Sequence, residues 1–177
     1  MKTGSRQRGV TLVEACIVLA VLGIVTASAA PGMQGLIETR RVDGAATQLA
    51  TDIQYVRSEA VSRNQPVRLS FYSSAESSCY VLHTGLSAQC TCGATAPALC
   101  SGDARQIKTV VLPAAQRVRV QANVASVLFD PLHGTSTPTG TLRVLGAQGR
   151  AVHHVINVMG RVRSCSPLNT QPGYRAC

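Results

Sequence analysis

The sequence predicts an α+β fold: a long N-terminal helix, transmembrane in its first half, packed against an antiparallel β-sandwich of about seven short strands. Three observations carry this. Residues Val10 to Ala30 hold a single charge, Glu14, and a run of that length is about what a helix needs to cross a bilayer. Beyond Pro31 and Gly32, the residues Val42, Ala45, Ala46, Leu49, Ile53, Val56 and Ala60 recur at steps of three and four, the helical period. From Pro66 the period falls to two, with Val67, Leu69 and Phe71 alternating with Arg68, Ser70 and Tyr72.

In chain order, residues 1–9 form a short basic leader (Lys2, Arg6, Arg8) ending in Gly9. Residues 10–31 form the apolar segment, and its carboxylate is the anomaly. An acidic side chain at the centre of a membrane helix costs roughly 2.5–3.5 kcal/mol. Near the segment's start the cost is lower, but Glu14 still needs a partner charge, which a new amino terminus supplies once the leader is cut away. Residues 32–64 form an amphipathic helix. Arg41, Asp52, Arg57 and Glu59 fall mostly between its apolar positions, so one face should dock and the other stay wet. Pro31, Gly32 and Gly35 should loosen the helix between its halves, and Arg63-Asn64 before Pro66 reads as a stop.

Residues 65–177 read as one globular β domain with a disulfide-stapled loop and tail. Its strands are predicted at Val67 to Tyr72, Cys79 to His83, Ile107 to Leu112, Arg117 to Gln121, Val124 to Phe129, Thr141 to Leu145 and Val152 to Val158. Pro113, Asp130-Pro131, Gly134, Pro138, Gly140 and Gly149 punctuate them. Short strands following one long helix imply a sandwich packed on that helix. Aromatics make up 3% of the 177 residues, with no Trp, so Val, Leu, Ile and Ala must fill the core.

Gly9-Val10-Thr11-Leu12-Val13-Glu14, followed by the apolar run, resembles the class III signal of type IV pilins and type II secretion pseudopilins. The resemblance implies that a prepilin peptidase cuts after Gly9 and methylates Val10. Glu14 would then face the amino group of a neighbouring pilin in a filament. An ordinary secretory signal, with Ala27-Ser28-Ala29 as its cleavage site, is one alternative, and a plain single-pass anchor is another. Further on, Phe129-Asp130-Pro131-x-x-Gly134, Gly140-Thr141, Gly149 and Gly160-Arg161-Val162-Arg163 resemble the GspH/FimT pseudopilin pattern. What the two resemblances imply is an inner-membrane precursor with a periplasmic globular domain, later built into a pilus at the cell surface.

The formal charge is +9, and loss of the three leader cations lowers it to +6. From Ala104 onward nine basic residues (Arg105, Lys108, Arg117, Arg119, Arg143, Arg150, Arg161, Arg163, Arg175) face one acid, Asp130. So lopsided a half suggests a polyanionic partner, although arginines lining a solvated sheet face give the same composition. Cys16 lies in the apolar segment; Cys79, Cys90, Cys92, Cys100, Cys165 and Cys177 lie beyond it. An even number in an exported chain points to disulfides. Cys165 is expected to join Cys177, and Cys79 to pair within the Cys90 to Cys100 loop. Cys90 and Cys92 are too close to pair with each other. A zinc site from Cys79, Cys90, Cys92 and Cys100 is the rival, against which the C-x-C spacing counts.

Alternation along an extended chain puts Arg161 and Arg163 on one side, roughly 6.5–7 Å apart. Adjacent phosphates along one DNA strand are separated by about the same distance, and guanidinium forks grip phosphate bidentately. In FimT-like minor pilins this arginine motif is associated with DNA binding in natural transformation, and the resemblance carries that role to Arg161 and Arg163. Gly160 would turn the chain away from the sheet to present them, and Arg150, Arg175 and Lys108 join them on charge alone. Stacking aromatics are scarce here apart from Tyr174, so contact with double-stranded DNA would be phosphate-driven and sequence-independent. A structural pseudopilin of type II secretion, or a pilus-priming minor pilin touching only protein, is the alternative. No motif of an enzyme or a cofactor site is present. His153 and His154, consecutive in a strand, point to opposite faces, and His83 and His133 read as surface residues.

Overall fold

The computed structural model describes residues 10–93 and 98–177, with side chains described outside 29–32. Gly9 and the rest of the leader therefore lie outside the described residues. The chain divides into two compact units, Met1–Ile37 and Glu38–Cys177. Helix α1 spans Leu12–Arg63. Its first unit exposes Leu12, Val13, Ile17, Val18, Leu19, Val21, Leu22, Ile24 and Val25, a surface suited to lipid or to other apolar helices rather than to water. Among the described residues no single helix is long and apolar enough to cross a membrane. The bent pair Leu12–Ser28 and Met33–Arg63 passes that test together, and Pro31 and Gly32 fall at its break.

In the second unit the apolar stripe of α1 is the spine of the core. Val42, Ala46, Leu49, Ile53, Val56 and Ala60 are all fully buried, as their spacing requires. The helix stops at Asn64, whose φ of 49° is left-handed, and the Gln65 N–H donates back to the Ala60 carbonyl. The strands that follow are β1 (Val67–Ser73), β2 (Ser77–Thr84), β3 (Cys90–Thr91), β4 (Leu99–Cys100), β5 (Gln106–Pro113), β6 (Val118–Ala122), β7 (Ser126–Phe129), β8 (Ser136–Thr137), β9 (Gly140–Gly146), β10 (Ala151–Ile156) and β11 (Val162–Cys165). A first sheet runs β5-β2-β1-β7-β8 and a second β11-β10-β9-β6, while β3 and β4 form a separate ribbon. Every ladder is antiparallel. Both sheets lay apolar side chains on the helix, with Leu69, Leu82 and Phe129 from the first and Val120, Leu142, Val144 and Ile156 from the second in one cluster.

Three expectations are corrected. The strand count rises from about seven to eleven among the described residues, because β3, β4 and β8 are two residues long and show no period. The fourth addition, β11, comes after Val152 to Val158, the last strand predicted from the sequence, and takes in Arg163. Asp52, expected on the wet face, is 2% exposed, held by the Tyr80 hydroxyl, the Lys108 ammonium and the Gln48 amide. His83, expected at the surface, is fully buried. Its ring meets the Ser70 hydroxyl at 2.8 Å and the Thr84 carbonyl at 2.9 Å.

Burial of His83 follows from a feature of β2, which is covered on both faces along its whole length. One face packs on the helix through Tyr80 and Leu82. The other carries Val81, against which Cys90, Ala98 and Ala104 form a second small core. Disulfides Cys79–Cys92 and Cys90–Cys100 fasten this roof, and Cys165–Cys177 closes the tail. Cys16 is free and exposed.

Candidate nucleic-acid interface

The second sheet has an inner and an outer face, and the pairing register assigns its arginines. Val120, Leu142, Val144, Val152, His154 and Ile156 point inward and are buried. Between them Arg119, Arg143, His153 and Arg163 alternate outward. Arg143 lies opposite both His153 and Gln121, and His153 lies opposite Cys165. None of the eight acidic residues falls on β6, β9, β10 or β11. The field is felt locally: burial first, and then the charge of Arg143, hold His153 below the ordinary imidazole range.

Gly160, Arg161 and Arg163 sit on the hairpin between β10 and β11, an edge strand of that sheet. Asn157 builds the turn. Its carbonyl accepts the Gly160 N–H, its N–H donates to the Arg161 carbonyl, and its Oδ1 accepts the Arg161 N–H at 2.9 Å. Gly160 has a φ of +68°, and a β-carbon there would stand 2.6 Å from the Gly134 carbonyl oxygen. The glycine therefore admits a close approach between two turns as well as a change of direction. Arg161 and Arg163 are both exposed.

The Gly134 turn is shaped by Asp130, whose Oδ1 accepts the N–H groups of Leu132 and His133. Those bonds, the His133 one foremost, hold the Asp130 carboxyl below its usual range. Ser136 joins the two turns, donating its N–H to the Val158 carbonyl and its hydroxyl to the Asn157 carbonyl. Leu132, Val158 and Met159 on these turns are exposed.

The remaining sequence-predicted residues divide. Arg175 returns beside the end of β11: Ser166 donates to its carbonyl, and Ser166 bridges to Ala176 just before the Cys165–Cys177 disulfide. Arg150 is half-buried and donates to the Thr170 carbonyl at 3.0 Å, so its guanidinium is engaged in holding the tail. Lys108 does not join the group. It lies on β5 of the other sheet, 2.6 Å from the Asp52 carboxylate. Arg119 and Arg143 were counted as charge but not placed, because only the ladder β6-β9-β10-β11 reveals that they share a face with Arg163.

At the other end of the chain, the N–H of Glu14 donates to the Thr11 hydroxyl at 3.3 Å, a cap for the first turn. The acid thus sits where the helix dipole favours it, and it is exposed, as is Val10.

The family model Type II transport protein GspH matches residues 45–160, and the prokaryotic N-terminal methylation motif matches residues 4–30. The first match ends on Gly160, so Arg161 and Arg163 lie just beyond it. A solved structure, the type IV minor pilin FimU of Pseudomonas aeruginosa strain PAO1, superposes with a TM-score of 0.50 and 18% identity, covering 71% of this chain and 92% of its own. It shares the fold. No curated protein matches the chain.

Proposed function

The chain belongs to the GspH family of type II transport proteins, and on that footing we propose that it is a type IV pilus minor pilin that binds double-stranded DNA. Binding uses the outer face of the second sheet and the Gly160–Arg163 turn, and serves DNA uptake in natural transformation and pilus assembly. In this reading the apolar helix holds the precursor in the inner membrane with the globular unit periplasmic. Prepilin peptidase cuts after Gly9 and methylates Val10, and other pilins then take the subunit into the filament. An ion pair between Glu14 and a neighbour's amino terminus would offset the burial of both charges there.

The observation that supports DNA binding is the outward set Arg119, Arg143 and Arg163 on a sheet whose strands carry no acidic side chain, continued by Arg161 and Arg175. Such a surface neutralises phosphates and releases their counterions. It would bind without regard to sequence and weaken steeply with salt. Mobility shift of a mixed-sequence duplex by the mature chain in detergent tests this, with Arg161→Ala plus Arg163→Ala as the variant. Binding at low salt that the double substitution weakens is the result the reading requires. Absence of binding by the intact chain would reject it.

A purely structural role, as a type II secretion pseudopilin or pilus-priming subunit, is favoured by a different observation. Exposed Leu132, Val158 and Met159 give the two joined turns an apolar tip, and exposed apolar clusters are common at protein contacts. Loss of filament incorporation on Leu132→Ser plus Met159→Ser, with DNA binding absent throughout, would select this reading.

A further inference from the structure

Arg57 leaves the helix midway along the globular unit, and its side chain runs between the two turns described above. Its Nε donates to the Gly134 carbonyl at 2.9 Å. A β-carbon at Gly134 would stand 2.8 Å from that Nε, and one at Gly160 would stand 3.2 Å from it and 3.3 Å from Cδ. Both glycines have positive φ, +60° and +68°. Two turns distant in sequence are thus cleared of side chain at the places where this one arginine passes. Among the described residues no carboxylate lies within ion-pair distance of Arg57. The only acid on the two turns, Asp130, directs Oδ1 to its own turn's N–H groups.

A half-buried guanidinium with one of its donors occupied and no counter-charge is suited to an anion. Arg161 is the residue next to Gly160, and its exposed side chain rises from the turn that Arg57 supports. We infer that Arg57 is the third guanidinium of the phosphate clamp formed by Arg161 and Arg163, and that it also holds the turn carrying them. The ligand in this inference rests on the DNA reading; the bracing rests on geometry alone. Arg57 grips with Nη1 and Nη2 while Nε stays on Gly134, so one planar group joins the helix, the β7–β8 turn and the phosphate. Sequence patterning hides this role, because at position 57 a basic residue reads as the wet side of an amphipathic helix.

The test uses the mature full chain in detergent and a short mixed-sequence duplex, with affinity followed across a salt series. Arg57→Gln removes the charge, and Arg57→Lys keeps it without the fork. With Arg57 on a phosphate, Arg57→Gln binds about tenfold more weakly near 50 mM salt and lowers the log–log salt slope by about one, while Arg57→Lys keeps the slope. A merely structural arginine would move both variants alike, or neither, and that result overturns the contact while leaving the DNA reading intact. A wild-type chain that binds no duplex at low salt overturns the contact and the DNA reading together. Hydrogen exchange addresses the bracing independently of any ligand: Arg57→Ala should speed exchange at the Gly134 and Gly160 amides and spare β1 and β2. Unchanged exchange there overturns the bracing.

Discussion

Lys108 reaches from β5 to the Asp52 carboxylate at 2.6 Å, and the Tyr80 hydroxyl donates to the same carboxylate at 2.8 Å. Asp52 is 2% exposed and the Lys108 side chain 37%, so the two ends of this pair are not equal. Removing the acid strands an ammonium and a buried phenol, whereas removing the lysine leaves a carboxylate with Tyr80 and Gln48. Asp52→Ala should therefore cost about 3 kcal/mol of unfolding free energy. Lys108→Ala should cost about 1 kcal/mol, since its exposed end is screened by solvent. Urea denaturation with disulfides intact measures both. DNA affinity should be the same in Lys108→Ala and wild type, because that ammonium is paired with Asp52 and lies on the other sheet.

His154 makes acid stability a second test. Burial lowers its pKa to about 4, against about 6.5 in the unfolded chain. Between those values the unfolded chain binds a proton that the folded chain does not, so stability falls as pH falls through that window. The loss approaches roughly 3 kcal/mol near pH 4. His83, lowered chiefly by burial, and His153 add in the same direction. His154→Gln should flatten the dependence of unfolding free energy on pH between about 6.5 and 4. A curve as steep as wild type would place the proton elsewhere.

Gly160 and Gly149 separate backbone strain from crowding. Both have positive φ, +68° and +84°, but a β-carbon meets the Gly134 carbonyl at the first and nothing within 4 Å at the second. Gly149→Ala should cost about 1 kcal/mol for the left-handed backbone alone. Gly160→Ala must also push two turns apart and should cost about 2 kcal/mol or more. Thermal unfolding of the two variants side by side gives the difference.

The roof over β2 depends on its cystines. Cys79→Ser plus Cys92→Ser opens a loop of sequence separation 13 and should cost about 3 kcal/mol. Peptide mapping without reductant should recover the Cys79–Cys92, Cys90–Cys100 and Cys165–Cys177 links.

What the sequence disclosed depended on how local the physics was. The helix stripe from Val42 to Ala60 repeats over several turns, so its buried face could be read residue by residue. The longer strands showed their alternation in the same way. Asp52 could not be read correctly, because its carboxylate is satisfied by Tyr80 and Lys108, residues 28 and 56 positions away. His83 was misplaced because its strand is buried on both faces, under a roof that has no periodic signal. At the candidate site, Gly160, Arg161 and Arg163 stood out as a motif, yet Arg119 and Arg143 needed the ladder register and Arg57 needed the meeting of two turns. Lys108 looked equivalent to the arginines until its ion pair was located.

The central claim is that an arginine surface without acidic side chains, on the second sheet and its Gly160–Arg163 turn, holds DNA by its phosphates. The most direct measurement is the slope of log affinity against log salt for a mixed-sequence duplex, in wild type and in Arg161→Ala plus Arg163→Ala. The account predicts a steep negative slope for wild type that becomes shallower by about two in the double variant. An affinity indifferent to salt, or a slope that the double substitution leaves unchanged, would contradict it.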